Sequence, residues 1–252
     1  MAEKLSAVIT TYNNEPKIMA TLESIKWADE IIIVDGHSND KTVEICKRYT
    51  TKIYSQPNYP QWNINKNYGF QKANGGWILN LDSDEIITGA LRNEIKLILE
   101  KGTECDYFYI PRREHFFGKW IKSIWGPEPL HIKLFKKGMA EYECWHLHEA
   151  MITKGKRGVL KNHIVHNAYI NLGELLGRID AFTDEEAKCM KVKGFRLRWR
   201  HFIIKPARYM FYAYIKKKGF RNGFRELLTI ILWCGYYWFI TLVKLKRLEN
   251  NK

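Results

Sequence analysis

The chain has 252 residues, 46% hydrophobic and 27% charged, which suffices for one α/β core of ordinary size with an appendage and excludes a disordered or low-complexity protein. Its 41 Lys and Arg against 27 Asp and Glu leave +14, a field that draws phosphate-bearing partners such as nucleic acid, anionic lipid, nucleotides or phosphorylated glycans. Five scattered cysteines without CxxC spacing argue against a zinc ribbon and for a reducing compartment, the short apolar run in MAEKLSAVITTYNN argues against a signal peptide, and the absence of a fixed-period repeat excludes solenoids.

Leu5 to Thr11 reads as a buried strand, and Pro16 opens a helix in which Ile18, Leu22 and Ile25 recur at helical spacing. Glu30 to Asp35 is a second, β-branched strand, followed by the turn Gly36 to Asp40 and a helix carrying Val43, Ile45, Cys46 and Tyr49. A short strand at Lys52 to Tyr54, a polar helix from about Ile64 to Asn74 and a strand at Trp77 to Leu81, ending in Asp82-Ser83-Asp84-Glu85, continue the alternation. Alternating strands and helices predict a mostly parallel sheet. After a helix at Ala90 to Lys101, capped by Gly102, strands are expected at Cys105 to Pro111 and Ile132 to Phe135, with a turn at Lys137-Gly138, so the second half of the sheet is mixed.

From Leu172 the pattern is helical. Residues 188 to 225 hold thirteen Lys or Arg and no Asp or Glu, interleaved with Phe195, Trp199, Phe202, Tyr209, Phe211, Tyr212, Tyr214, Phe220 and Phe224. Leu227 to Val243 is a mostly apolar run at the lower edge of the ~17–25 residues that cross a bilayer. Interrupted by Thr229, Gly235 and Thr241, it is expected to lie in the membrane interface beside its basic-aromatic neighbour, the alternatives being a span and a core or self-association helix.

In an open α/β sheet ligands bind beyond the carboxyl ends of the strands. Three such ends are polar: Thr10-Thr11-Tyr12-Asn13, Asp35 with its turn, and Asp82-x-Asp84. Two carboxylates at i and i+2 can divide labour, one binding a hard divalent ion and the other accepting a ribose hydroxyl. Mg²⁺ or Mn²⁺ takes one or two carboxylates and completes its shell with phosphate oxygens and water. His146-x-His148 has the alternation of a zinc pair, but no HExxH motif or cysteine cluster accompanies it.

The segments Ala7 to Asn13, Ile33 to Thr42 and Trp77 to Glu85, in that order and spacing, resemble the family 2 glycosyltransferases of GT-A fold over roughly residues 4 to 100. The resemblance narrows to lipopolysaccharide-core β-glucosyltransferases through Gln61-x-x-x-x-Lys66-Asn67, His146-Leu147-His148-Glu149, Pro206-x-x-Tyr209-x-x-x-Tyr212 and Lys218-Gly219-Phe220-x-Asn222-Gly223. It implies a metal-dependent inverting transfer of a sugar, glucose from UDP in the first instance, to a lipid-linked or phosphorylated glycan such as lipopolysaccharide inner core. The implied fold is a Rossmann-like, mostly parallel mixed sheet flanked by helices, with a catalytic domain over 1–170 (nucleotide-sugar half 1–100, acceptor half 101–170). A basic, aromatic, helical extension over 171–252 is expected to associate with the membrane and to offer a surface for self-association.

On this resemblance Thr10, Tyr12, Asn13 and Asp35 hold the nucleoside, Asp82 the ribose, Lys66 the donor phosphates, with Asn67 shaping that loop, and Asp84 binds Mg²⁺ or Mn²⁺, with His166 as a further ligand. Glu149 is the expected base, in the place where the family carries an acidic pair, here His148-Glu149. Arg112, Arg113, Trp125 and His148 stand on the acceptor side, since sugars stack on aromatic rings and their phosphates pair with Arg. The family's usual Asp-Asp-Gly-Ser turn is replaced here by Asp35-Gly36-His37-Ser38, so the motif leaves the base open. A peptide or another polymer as acceptor, and a basic nucleic-acid-binding protein, are the rival readings. Carboxylates at the strand ends would repel a nucleic-acid backbone, which argues against the latter; with no signal-peptide pattern and a membrane-associating extension, the expected location is the inner face of the cytoplasmic membrane.

Overall fold

The computed structural model describes residues 3–59, 61, 63–124, 128–144 and 151–250. The first elements are β1 (Leu5–Thr11), α1 (Glu15–Ile25), β2 (Glu30–Asp35), α2 (Thr42–Cys46), β3 (Ile53–Ser55), α3 (Asn63–Lys72) and β4 (Trp77–Asp82), in the order the sequence predicts. The strands pair in parallel in the order β3-β2-β1-β4, with Ala7 opposite both Ile31 and Leu79. Their apolar runs are continuous because each face is covered. Ala7, Ile9, Ile33 and Leu79 point toward Ile18, Leu22 and Ile25 of α1, while the alternate residues Val8, Ile32, Val34 and Ile78 meet Phe70 and Ala73 at the end of α3. Gly69 lets α3 approach the sheet, for a Cβ there would lie 2.4 Å from Val8 Cγ1 and 3.1 Å from Val34 Cγ2.

The chain then forms β5 (Glu85–Ile87), α4 (Gly89–Lys101), β6 (Tyr107–Phe116), β7 (Lys119–Trp120), β8 (Leu130–Lys136), β9 (Ala140–Tyr142), β10 (Met151–Thr153), β11 (Arg157–Val159) and β12 (Ile164–Tyr169). Thr88 caps α4 by accepting from Leu91 N at 3.3 Å, and Gly102 ends it with a positive φ of 74°. β8 runs antiparallel to β4 and β6, and β12 antiparallel to β5, so the sheet turns from parallel to mixed. Of the two- and three-residue strands only β3 matches an expected strand; β5, β7, β9, β10 and β11 are too short to carry a readable period, and β12 is a further strand that the sequence pattern does not mark.

The chain packs as two compact units, one holding the residues up to Arg112 together with Pro129–Asn167, the other holding Arg113–Glu128 and the chain from Ala168 onward. In the second unit Phe116, Ile121, Tyr169, Leu175 and Ile179 form a core joined by Trp233. There Asn171 caps α5 (Leu172–Val192), accepting from Glu174 N at 2.8 Å. After α6 (His201–Phe211) come α7 (Phe224–Ile230), a π-helical stretch and α8 (Tyr237–Asn250), which form one helix over Phe224–Asn250. By length and composition alone this helix could cross a membrane. It is tied to α5 by Lys244 Nζ, 2.7 Å from Asp180 Oδ1 and 2.9 Å from Asp184 Oδ1, and approaches Met210 of α6 at Gly235, where a Cβ would lie 2.9 Å from Met210 Sδ. Buried Glu226 accepts from the backbone N–H groups of Lys122 and Ser123 at 3.1 and 2.7 Å, and also from the Ser123 hydroxyl.

Candidate active site

The ends of β1 and β2 are joined by side chains of their own turns. Asp35 is buried, and its carboxylate accepts from Ser38 N at 2.9 Å and Ser38 Oγ at 2.5 Å. Ser38 Oγ in turn accepts from Asn13 N at 2.8 Å, and Asn13 Oδ1 accepts from Asn39 N at 2.8 Å. Both turns need left-handed backbone, at Asn13 (φ 45°) and His37 (φ 63°), a conformation that asparagine and histidine tolerate better than most residues. The shape of the Asp35-Gly36-His37-Ser38 turn therefore follows from His37 swinging Ser38 back onto Asp35. Beside it lies an open cavity of about 710 Å³ lined by Asp35, His37, Ser38, Lys47, Thr51 and Ser55, among others. Thr11 Oγ1 is buried with no hydrogen-bond partner among the described residues, a polar atom left over at this strand end.

The Asp82 to Glu85 segment is a turn between β4 and β5, held by Asn14 Nδ2 donating to Ser83 Oγ at 2.6 Å and by Thr21 Oγ1 donating to Ser83 O at 3.0 Å. Asp82 Oδ1 lies 2.6 Å from Lys66 Nζ of α3, and its Oδ2 lies 3.1 Å from Lys133 Nζ of β8. Glu85, fully buried, receives Lys133 Nζ at 2.6 Å, Arg112 Nη1 at 3.2 Å and the Asp82 N–H at 2.9 Å. Asp84 faces the other way. The antiparallel pairing of β5 with β12 sets His166 opposite Glu85, which brings His166 Nε2 to 3.3 Å from Asp84 Oδ1, while Lys17 Nζ stands 3.9 Å from Asp84 Oδ2.

Three carboxylates thus meet four cations, Lys17, Lys66, Lys133 and Arg112, and the excess positive charge suits an anionic ligand. Burial alone would raise Asp82, but Lys133 and Lys66 outweigh it and hold its carboxyl well below the usual range. Asp84 is lowered too, burial again opposing and His166 prevailing, while Asp82 outweighs burial and raises Lys66. Asp82 is still 31% exposed at its side chain, so a ligand can reach it.

Residues 6–162 match the family model described as glycosyl transferase family 2. The chain belongs to that family. Among relatives of this glycosyltransferase is the lipopolysaccharide core biosynthesis glycosyltransferase LpsC of Rhizobium meliloti, 24% identical over 96% of this chain and 91% of LpsC. A GalNAc(5)-diNAcBac-PP-undecaprenol beta-1,3-glucosyltransferase of Campylobacter jejuni is 33% identical over 35% of this chain and 32% of its own length. The fold is that of the GT-A glycosyltransferases: the crystal structure of S. aureus TarS 1-349 aligns with 99% of this chain and 92% of its own, with a TM-score of 0.53 at 14% identity.

Within this family 2 glycosyltransferase the structure brings Asp82, Asp84, Lys66 and His166 together, with Asn13 and Asp35 meeting through Ser38 at the neighbouring strand ends. Thr10 lies at the end of β1, opposite Asp82 of β4, and the exposed Tyr12 follows. Asn67 bonds the backbone of Tyr142 in both directions, at 2.7 and 3.0 Å, fixing α3 to β9, and Lys66 lies over the Tyr142 ring at 5.6 Å. The two arginines separate: Arg112 pairs with Glu85 beside Asp82, while Arg113 in the second unit pairs with Glu128 at 2.6 Å and lies over Trp120 at 4.0 Å. Glu149, His148 and Trp125 lie outside the described residues. Sequence reasoning missed Lys17, Lys133 and the pairing of Glu85. The signal for Lys133 was available: a lysine amid the apolar β8 run Leu-His-Ile-Lys-Leu-Phe.

The donor set fits a hard divalent ion. Asp84, in the turn before β5, and His166, on β12, converge, and among the described residues no group of three or more His, Cys, Asp or Glu forms a closed cage. An ion that takes one or two protein ligands and completes its shell with phosphate oxygens needs no more.

Proposed function

We propose that this chain transfers a sugar, with inversion at the anomeric carbon, from a UDP-sugar such as UDP-glucose to a lipid-linked oligosaccharide of the lipopolysaccharide inner-core type, at the inner face of the cytoplasmic membrane. The observation that carries the reading is the Asp82 to Glu85 turn, where a reachable carboxylate, an Asp84–His166 pair and surplus cations converge at the strand ends. LpsC and the C. jejuni undecaprenol-linked glucosyltransferase support the acceptor class by their names, and TarS in complex with UDP, a structural neighbour at TM-score 0.51, is compatible with the donor.

Thr10 and Asp35 bind the nucleobase, with Tyr12 and Asn13 completing the nucleoside pocket, and Asp82 accepts a hydrogen bond from the ribose. Asp84 and His166 would hold Mg²⁺ or Mn²⁺, which when bound neutralises the diphosphate and stabilises its departure. Lys66 leaves Asp82 for the donor phosphates, and Lys133 then keeps Asp82 ionised. Glu149 takes the proton of the acceptor hydroxyl as that oxygen attacks the anomeric carbon from the face opposite the diphosphate. We assign Arg113, Trp125 and His148 the role of recognising the acceptor, while Arg112, committed to Glu85, positions the turn. A second reading, a polymer acceptor, draws on the poly(ribitol-phosphate) beta-N-acetylglucosaminyltransferase TarS, 30% identical over 33% of this chain. Thermal shifts with UDP-, GDP-, CDP- and dTDP-sugars, each with and without Mn²⁺, test the donor: a metal-dependent rise with UDP-sugars alone is expected, and no rise with any of them overturns the reading.

A further inference from the structure

The helical unit carries a surface that sugar transfer does not use. α6 exposes Ile203, Ile204 and Phe211 at 65%, 57% and 55%. With exposed Ala207 they fall at i, i+1, i+4 and i+8, so they share one face of the helix. The residues between them turn inward: Pro206 is buried, and Phe202 and Met210 pack on the unit's own apolar clusters. Trp199, just before α6, is 79% exposed. Single exposed apolar residues are ordinary, whereas a contiguous helical face of them marks an interaction site.

The segment that carries this face has charge of one sign. Residues 188 to 225 hold thirteen Lys or Arg and no acid, and twelve of the thirteen are exposed, Lys205 being the partly covered one. Arg200 and Arg208 stand three residues before Ile203 and four after Ile204, flanking the apolar stripe.

We infer that the exposed face of α6, with Trp199 and the surrounding Lys and Arg, docks the chain on an anionic lipid bilayer, α6 lying in the interfacial plane. Charge complementarity selects an anionic partner, and the aliphatic side chains select among anions. A nucleic acid rewards cations and stacking rings, but Ile203 and Ile204 offer it no π face; acyl chains accept them. The apolar helix Phe224–Asn250 is held to its own unit at several points, for Leu242 and Leu245 are buried, Lys244 is paired to Asp180 and Asp184, and Trp238 stacks on Tyr209 at 4.9 Å. These ties argue against its insertion as a span, while its exposed Phe224, Ile231, Tyr236 and Phe239 can meet the same lipid surface as α6. The inference rests on the proposed lipid-linked acceptor for its purpose only, since its observations all lie in the helical unit.

The test is sedimentation of the full chain with phosphatidylglycerol/phosphatidylethanolamine vesicles and with phosphatidylcholine vesicles. Two variants accompany it, Ile203→Ser/Ile204→Ser/Phe211→Ser and Arg200→Glu/Arg208→Glu. The expected result is partition onto the anionic vesicles alone, reduced tenfold or more in each variant, and released by an alkaline wash. The shift of melting temperature by UDP-sugar should stay unchanged in both variants, which separates loss of docking from loss of fold; absence of that shift in the unaltered chain would refute the donor reading and leave the partition result standing. Undiminished partition of both variants, retention after the alkaline wash, or tighter binding to single-stranded DNA or RNA at matched salt overturns the inference. So does a dimer that the apolar variant dissolves while vesicle binding persists.

Discussion

Asp82 touches two ammonium groups, and one of them, Lys133, is shared with buried Glu85. Such a group costs desolvation energy and stays ionised only while its partners remain, so its chief consequence is acid sensitivity. Asp82 and Asp84 are both lowered on folding, and Glu30, where hydrogen bonds from Asn74, Lys52 and Ser6 overcome burial, is lowered to about 2 from 4.5. Each contributes stability that is fully present above its unfolded pKa and is lost as pH falls through the folded one. Urea unfolding should therefore show a steep loss between about pH 4.5 and 2, and Asp82→Asn should flatten it. An identical slope in the variant would remove Asp82 from the acid response. At the acceptor end, Glu149→Gln should keep UDP-sugar affinity and lower transfer by ~10²–10⁴-fold, because an amide fills the space without accepting a proton. Turnover within a few-fold of the unaltered chain would move the base elsewhere, to Glu141 or Glu143.

Among the elements, α3 carries the donor-side lysine and so depends on how closely it lies on the sheet. Gly69 permits that approach against Val8 and Val34. Gly69→Ala should destabilise the fold by ~1–3 kcal/mol, the usual cost of overpacking, and should also weaken donor binding by displacing Lys66. A melting temperature and affinity equal to those of the unaltered chain would contradict this packing. The elements legible in the sequence were those with long apolar runs: β1, β2 and β4 are bounded in the structure within a residue of where their apolar stretches begin and end. β5 was not legible, because Glu85-Ile86-Ile87 reads as the tail of the preceding turn. Its antiparallel pairing with β12 across a long sequence separation is what puts His166 beside Asp84. The types and spacing of Asp82, Asp84 and Lys66 could be read from the chain, whereas the Lys133–Glu85–Arg112 chain is a tertiary arrangement that no local period encodes.

For the molecule as a whole, charge is divided by task. One unit holds carboxylates at its strand ends and surrounds them with cations, an arrangement suited to a phosphate ligand; the other concentrates exposed Lys and Arg with exposed aromatic and aliphatic residues. A +14 net charge is therefore mostly a property of the helical unit, where 188 to 225 carries thirteen basic residues and no acid. The apolar Leu227 to Val243 run, expected to lie in the membrane interface, is part of a longer helix, Phe224–Asn250, that spends buried residues on its neighbours.

The account turns on Asp84 holding a divalent ion for a UDP-sugar. Calorimetric titration of UDP-glucose into the chain, with and without Mn²⁺, and into Asp84→Asn measures this directly, since the amide removes an anionic ligand with little change in size. Binding that needs Mn²⁺ in the unaltered chain and loses that dependence, with at least tenfold weaker affinity, in the variant is the predicted result; equal, metal-dependent affinity in both would contradict it.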